Sequence, residues 1–329
     1  AGNDTINGFL GNDTILGGLG DDILDGGEGV DTLSYVNSTA GITIDLRVTT
    51  AQDTGGEGVD TVSNFEYVVG SAFTDTIHGD DGFNLLTDGT FNSASGTVSG
   101  ANGGGNDSIY GHGGDDMIIV SRLSAAPAGT ILLDGGTGND IITYQSGALS
   151  ATPAAAAAVG LGGSTVLALN ARGDRFLDTL TINAGDGNDR VVITAVDSAT
   201  IDLGSGNDVL AINMLGAAGV SDYFITTGAG ADIIQLNANA AAGATTARAS
   251  TVTDFSRGDD GDKFELNAYL PTTLAGYTNN SDFFASSHMR LLQDGVNMLL
   301  QVDRDGAGGA NDWITIFTLE NTYTGGFTA

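Results

Sequence analysis

Asp4, Asp13, Asp22 and Asp31 stand nine residues apart, and an aliphatic side chain follows each at the same offset: Ile6, Ile15, Leu24 and Leu33. Glycines keep the same phase. Gly8 and Gly11 precede Asp13, Gly17, Gly18 and Gly20 precede Asp22, and Gly26, Gly27 and Gly29 precede Asp31. Few folds accept such a period. A glycine-rich turn, built on positive φ, gives way to a very short strand. Strand side chains alternate between faces, so the aliphatic points inward while its neighbours point out. One unit buries almost nothing and is stable only when stacked on others. Two units make one flattened coil of about 18 residues with a strand on each side. Residues 18 apart, such as Asp4 with Asp22 or Asp13 with Asp31, are therefore expected to lie one above the other.

The unit returns along the chain. One copy leads to Asp60, a pair to Asp75 and Asn84, another pair to Asp107 and Asp116, and single copies to Asp140, Asp189, Asp208 and Asp232. The last three are spaced so that coils carry one-residue or six-residue insertions relative to 18. Residues 35–54 and 62–73, richer in Val, Ile, Thr and aromatics, read as strands that broaden the stack. Residues 151–159 and 237–249 are small-residue segments that fit a surface loop or a short helix. From about residue 250 the repeats stop and the aromatics gather. The stretch from Leu291 to Leu300 reads as a hairpin about Asp294-Gly295, and a second strand pair is expected over 313–319. The expected fold class is all-β: a parallel β-roll or β-solenoid of glycine-rich nonapeptide repeats with a C-terminal β cap. Its expected divisions are a regular roll over 1–34, repeats with broader strands over 35–120, a degenerate solenoid with Ala-rich loops over 121–250, and the cap over 251–329.

Charge indicates what the turns hold. Ten Lys and Arg face 41 acidic residues, a net charge of -31. Only Glu28, Glu57, Glu66, Glu265 and Glu320 are glutamates, so aspartate dominates. Its short side chain favours turns and brings a carboxylate beside backbone carbonyls. Calcium takes roughly six to eight such oxygens. The charge argues against nucleic acid, whose binders carry a basic patch, and disfavours an anionic membrane surface. With no Cys, disulfides, thiolate metal sites and a Cys nucleophile are excluded. No apolar run approaches the roughly 18 residues of a membrane-spanning helix. Ala1-Gly2-Asn3-Asp4 already reads as the interior of a repeat and not as a signal peptide, so the sequence is expected to start partway through a longer protein.

Gly17-Gly18-Leu19-Gly20-Asp21-Asp22-Ile23-Leu24-Asp25 fits the G-G-x-G-x-D-x-U-x unit at every position and resembles the repeats-in-toxin (RTX) calcium-binding β-roll family. Residues 41–79 resemble a module common in large secreted RTX proteins. Residues 252–266 and 303–320 are similar to the post-repeat and target regions of type I secretion substrates. The resemblance implies several Ca2+ ions, held by repeat carboxylates and by the carbonyls of the first and third repeat positions. Carried over, the ligands are Asp4; Gly8, Leu10 and Asp13; Gly17, Leu19 and Asp22; Gly26, Glu28 and Asp31; and the carboxylates or amide of Asp60, Asp75, Asn84, Asp107, Asp116, Asp140, Asp189, Asp208 and Asp232. Ala184, Leu203 and Thr227 replace the first glycine before the last three, where fewer or weaker ions are expected. Asn84 offers an oxygen without charge.

No catalytic constellation is expected. Pairs such as Asp21-Asp22, Asp80-Asp81, Asp115-Asp116 and Asp259-Asp260 read as turn or calcium residues. His78 and His112 read as solvent-facing turn residues, and neither an H-E-x-x-H zinc motif nor a G-x-S-x-G elbow occurs. Asp303, Asp305 and Asp312 fit either an extra calcium loop or a plain acidic turn. The functional expectation is a secreted, cell-surface or extracellular bacterial module whose folding is triggered by calcium. It is expected to be exported by type I secretion machinery and to form a homo-oligomer or surface assembly such as an S-layer, filament or matrix. The alternatives are the secretion and folding appendage of a larger enzyme, and an adhesin module.

Overall fold

A computed structural model of the chain describes residues 1–88, 91–92, 97–98, 105–122, 129–146, 179–194, 198–215, 222–239, 250–256, 261–265, 289–303 and 313–320. Among these every regular element is a strand, and no helix is long and apolar enough to cross a membrane. The chain forms two compact units, Ala1–Thr179 and Leu180–Ala329.

In the first unit, successive coils lay their strands side by side in parallel. Thr14–Ile15, Thr32–Ser34, Tyr67–Val69, Leu85–Thr87, Met117–Arg122 and Ile141–Ser146 form one sheet in that order. Across the coil, Thr5–Asn7, Ile23–Asp25 and Val59–Ser63 form a second sheet, and Thr43–Asp45, Thr76–His78, Ser108–Gly113 and Thr130–Thr137 a third. Thr5 pairs with Ile23 and Thr14 with Thr32, the 18-residue offset that the repeat predicts. The aliphatic of each repeat faces inward and is fully buried at Leu24, Leu33, Ile77, Leu86, Ile109, Ile118 and Ile142. Each such side chain contributes roughly 1.5–3 kcal/mol by leaving water.

Later coils are longer. Met117 pairs with Ile141 and Ser108 with Leu132, both 24 residues on, and the extra residues leave the inward register intact. Residues 41–63 depart from the simple roll. There Gln52–Asp53 folds back antiparallel on Val59–Ser63. The stretch 62–73, by contrast, contains an ordinary coil strand, Tyr67–Val69.

In the second unit, Arg190–Thr194, Val209–Leu215, Ile233–Asn239 and Lys263–Glu265 form one parallel sheet. Thr179–Asp186, Ser198–Asp202, Asp222–Thr226 and Ser250–Val252 begin the other. Arg190 pairs with Val209 and Val209 with Ile233, offsets of 19 and 24. The roll does not stop at residue 250 as the composition suggested, because Lys263–Glu265 continues the first sheet against Ile233–Gln235. The second sheet then changes character. Ile314–Leu319 runs parallel to Ser250–Val252 and antiparallel to Asn297–Val302, which forms a hairpin with Met289–Asp294 through Gly295 at φ 64°. Phe255, Phe264 and Phe317 pack under this cap with ring centroids 5.0 and 4.8 Å apart. The guanidinium of Arg290 lies 4.2 Å over Trp313. Residues 151–159, most of 237–249, and Asp259, Asp260, Asp305 and Asp312 lie outside the described residues.

Candidate metal sites

Asp4, Asp13, Asp22, Asp31, Asp116, Asp140, Asp189, Asp208 and Asp232 each stand immediately before a strand, so parallel stacking aligns the carboxylates of successive coils. One oxygen of each is used between coils. The amide of Asp4 donates to Oδ1 of Asp22 at 2.7 Å, and the amide of Asp22 to Oδ1 of Asp60 at 2.9 Å. In a second column the amide of Asp13 donates to Asp31 (2.7 Å), that of Asn84 to Asp116 (2.8 Å), and that of Asp116 to Asp140 (2.8 Å). A third column joins the amide of Asp75 to Asp107 at 2.9 Å. The second unit repeats the pattern. The amide of Asp189 donates to Asp208, that of Asp208 to Asp232, and that of Asp232 to Asp262, at 2.8, 2.8 and 3.1 Å.

The other oxygen carries the chemistry. Oδ2 of Asp13, Asp22, Asp31, Asp116, Asp208 and Asp232 is buried and accepts no hydrogen bond. Buried carboxylate oxygens are costly unless paired, hydrogen-bonded or coordinating a metal. These atoms also lie where the backbone comes close. A Cβ on Gly8 would sit 2.6 Å from Oδ2 of Asp13 and press on the carbonyl oxygen of Gly26, and one on Gly111 would meet Oδ2 of Asp116 and the carbonyl oxygen of Gly135. In these first-unit coils, glycine at the first repeat position leaves room for the carboxylate oxygen and the next coil's carbonyl to converge, whereas Leu203 and Thr227 stand at that position before Asp208 and Asp232. The donor set is oxygen only, as a hard cation requires. The residues present therefore fit Ca2+.

The third repeat position is different. The carbonyl of Leu19 accepts from the amide of Gly2, and that of Glu28 from the amide of Gly11. A carbonyl has a second lone pair, so these oxygens keep one acceptor direction. Leu10 and Glu28 face each other as a parallel bridge.

Burial shapes the electrostatics. It pushes the Asp116 carboxyl up to about 7, against the lowering effect of the Asn84 amide. Asp140 and Asp208 rise to about 6 for the same reason. Asp232 is also raised by burial, with Asp262 beside it.

Not every repeat carboxylate is open. Oδ2 of Asp75 accepts from the Ser71 amide at 2.7 Å, while its Oδ1 accepts from the Ser71 hydroxyl at 2.6 Å and the Ile42 amide at 3.0 Å. Thr54 donates its hydroxyl to Oδ2 of Asp60 at 3.1 Å. The side-chain oxygen of Asn84 accepts from the Asp80 amide at 2.7 Å, and its Nδ2 donates to the carbonyl of Glu66 at 3.4 Å. A protein donor thus already takes one acceptor direction of these three side-chain oxygens. Asp4 lies exposed at the first coil. If the open carboxylates are the ligands, Asp116→Asn should lower the calcium count by native mass spectrometry, whereas Asp75→Asn should leave it unchanged. Equal losses in both variants would refute that division.

Two column members escaped the sequence reading. Glu66 accepts the Asp31 amide at 2.8 Å and takes an aspartate's place. It stands 18 residues before Asn84, but a longer acid without a glycine turn hid the match. Asp262 ends the second unit's column, accepting from the amides of Asp232 and Ser256 and the hydroxyl of Thr227. Its inward partner is Phe264 and not an aliphatic, which masked the repeat.

Four copies of the RTX calcium-binding nonapeptide repeat match the chain, over residues 1–33, 66–90, 103–121 and 132–148. No curated protein matches it. The matched copies all lie in the first unit, while the amide-to-carboxylate column recurs in the second at Asp208 and Asp232, with Leu203 and Thr227 in place of the first glycine.

Proposed function

We propose, for a chain whose repeats are RTX calcium-binding nonapeptides, that it is a secreted structural module whose folding, and then assembly, is set by extracellular calcium. The observation that carries this reading is the column of buried carboxylates with an unused Oδ2 on stacked coils. Bringing those charges together is unfavourable in a compact state. Bound calcium supplies the compensating charge, so its binding free energy becomes folding free energy. The chain supplies the rest: Oδ1 fixes the neighbouring coil, the first-position carbonyl approaches Oδ2, and the inward Ile and Leu ladder buries the core. Extracellular calcium modules respond at roughly 10⁻⁴ to 10⁻³ M, which suits a chain that stays unfolded for passage through a type I secretion channel and folds outside.

The second unit supports a structural role over a minimal secretion appendage, since it repeats the carboxylate column and ends in an aromatic-lined cap. Electron microscopy of the purified chain during a calcium titration tests this. Ordered fibres or sheets are expected. Folded but dispersed monomers would sink the assembly role and favour an enzyme appendage, and retention on a glycan column would favour an adhesin.

A further inference from the structure

We propose that His78 and His112 form a two-nitrogen chelate for a divalent transition ion such as nickel or copper, separate from the calcium columns. The two residues lie on adjacent strands of the first unit, in Thr76–His78 and Ser108–Gly113. Nδ1 of His78 is 2.9 Å from Nε2 of His112. Two nitrogens bound at right angles to one ion at roughly 2.0 Å, as in tetragonal copper(II) or nickel(II), are about 2.9 Å apart. The pair is thus already at chelating separation, where the sequence suggested two unrelated turn residues.

Neighbours hold the rings. His78 stacks on Tyr110 with centroids 4.5 Å apart and planes 5° apart. Nη1 of Arg47 lies 3.1 Å from Nδ1 of His112 while its Nε and Nη2 grip the Asp45 carboxylate at 2.9 and 2.8 Å. Guanidinium only donates, so Nδ1 of His112 is the acceptor and its hydrogen sits on Nε2, shared with His78. An arriving ion would displace that hydrogen and lie off the line between the two nitrogens, with the rings turning to aim both lone pairs at it. The proton passes through solvent to Nδ1 of His112, and Arg47 keeps both bonds to Asp45. Burial lowers the proton affinity of both imidazoles, which keeps their lone pairs available. Asp45, Asp81 and Asp134 add negative field around His112 against the positive field of Arg47.

His112 occupies the second repeat position at φ 79°, where other copies carry Gly18, Gly27 or Gly136 and the first copy carries Phe9 at φ 70°. Imidazole suits Zn, Cu and Ni, whereas Ca2+ selects oxygen. No three His, Asp or Glu side chains converge among the described residues. Water therefore completes the coordination, as befits an exchangeable ion more than a closed structural centre.

The test is calorimetric titration of the untagged full chain with nickel(II), in millimolar calcium and without chelator. One saturable nickel site per chain is expected. His112→Gly restores the consensus turn residue and should fold at least as well as the parent, yet weaken nickel by about tenfold or more, as should His78→Gln. Substituting the third histidine of the chain, His288→Ala, should change nothing. The copper(II)-loaded chain should show two coordinated nitrogens by electron paramagnetic resonance, and one in either variant. Absence of a saturable site, or affinity unchanged in His112→Gly, would overturn the chelate. Neither result bears on the calcium reading, which circular dichroism reports separately.

Discussion

In excess chelator at about pH 8 the chain is expected to lose its β-sheet circular dichroism and to recover it in millimolar calcium. The columns of Asp13–Asp31 and Asp116–Asp140 in the first unit, and Asp208–Asp232 in the second, explain why. Their coils cannot stack without bringing carboxylates into register, and the inward aliphatic of one coil buries little until its neighbour is present. Removing the compensating charge therefore removes the folded state, not one contact within it. Acid should substitute in part. Without metal, the folded carboxyls of Asp116, Asp140 and Asp208 titrate near about 7, 6 and 6, above their ordinary value of 3.8. The folded state then binds more protons than the unfolded chain over that window, and stability falls as pH rises through the folded values. In chelator, lowering pH from about 8 to about 5 should restore part of the β signal. A chain equally folded with chelator and with calcium would refute the mechanism, and a chelated chain less folded at the lower pH would refute the assignment of those carboxyls.

Gly206→Ala should unfold the second unit, while Gly11→Ala should cost only about 1–3 kcal/mol, the penalty for holding an L-residue at a positive φ outside the left-handed helical region. Both glycines hold the fourth repeat position, at φ 141° and 117°. A Cβ on Gly11 would meet nothing within 4 Å, whereas one on Gly206 would lie inside the shell of the Gly187 carbonyl oxygen on the previous coil. That oxygen is backbone and cannot swing aside. A defect of roughly 4 kcal/mol or more follows, beyond most single substitutions. Calcium-dependent thermal melts of the two variants check this. Equal losses would show that the positive φ, and not the next coil, is what demands glycine.

Much of this was written in the nonapeptide. Asp4 over Asp22 and Leu24 turned inward follow from period and alternation alone, because a parallel stack has one register that buries the aliphatics. The offsets of 19 and 24 before Asp208 and Asp232 also transferred directly to strand pairing. What stayed hidden were substitutions that keep geometry while changing chemistry. Glu66 reaches the Asp31 amide with a longer side chain, and Asp262 does its work beside Phe264. Ser71 and Thr54 were invisible because nothing in spacing says that a nearby serine amide or threonine hydroxyl will donate to a carboxylate's second oxygen. The pairing of His78 with His112 needed an insertion between coils that sequence reading cannot fold.

The interlocking of amide and carboxylate also gives the roll a direction. Each coil lends its amide toward the C-terminal side and receives one from the N-terminal side, as in Asp208 to Asp232 to Asp262. A coil laid down against a C-terminal neighbour finds its acceptor already in place, whereas one laid down against an N-terminal neighbour must leave a buried amide waiting. The two ends of the roll are thus inequivalent, like those of a polar filament. Within the second unit, folding is therefore expected to spread from the capped end, the cap acting as a seed as much as a lid.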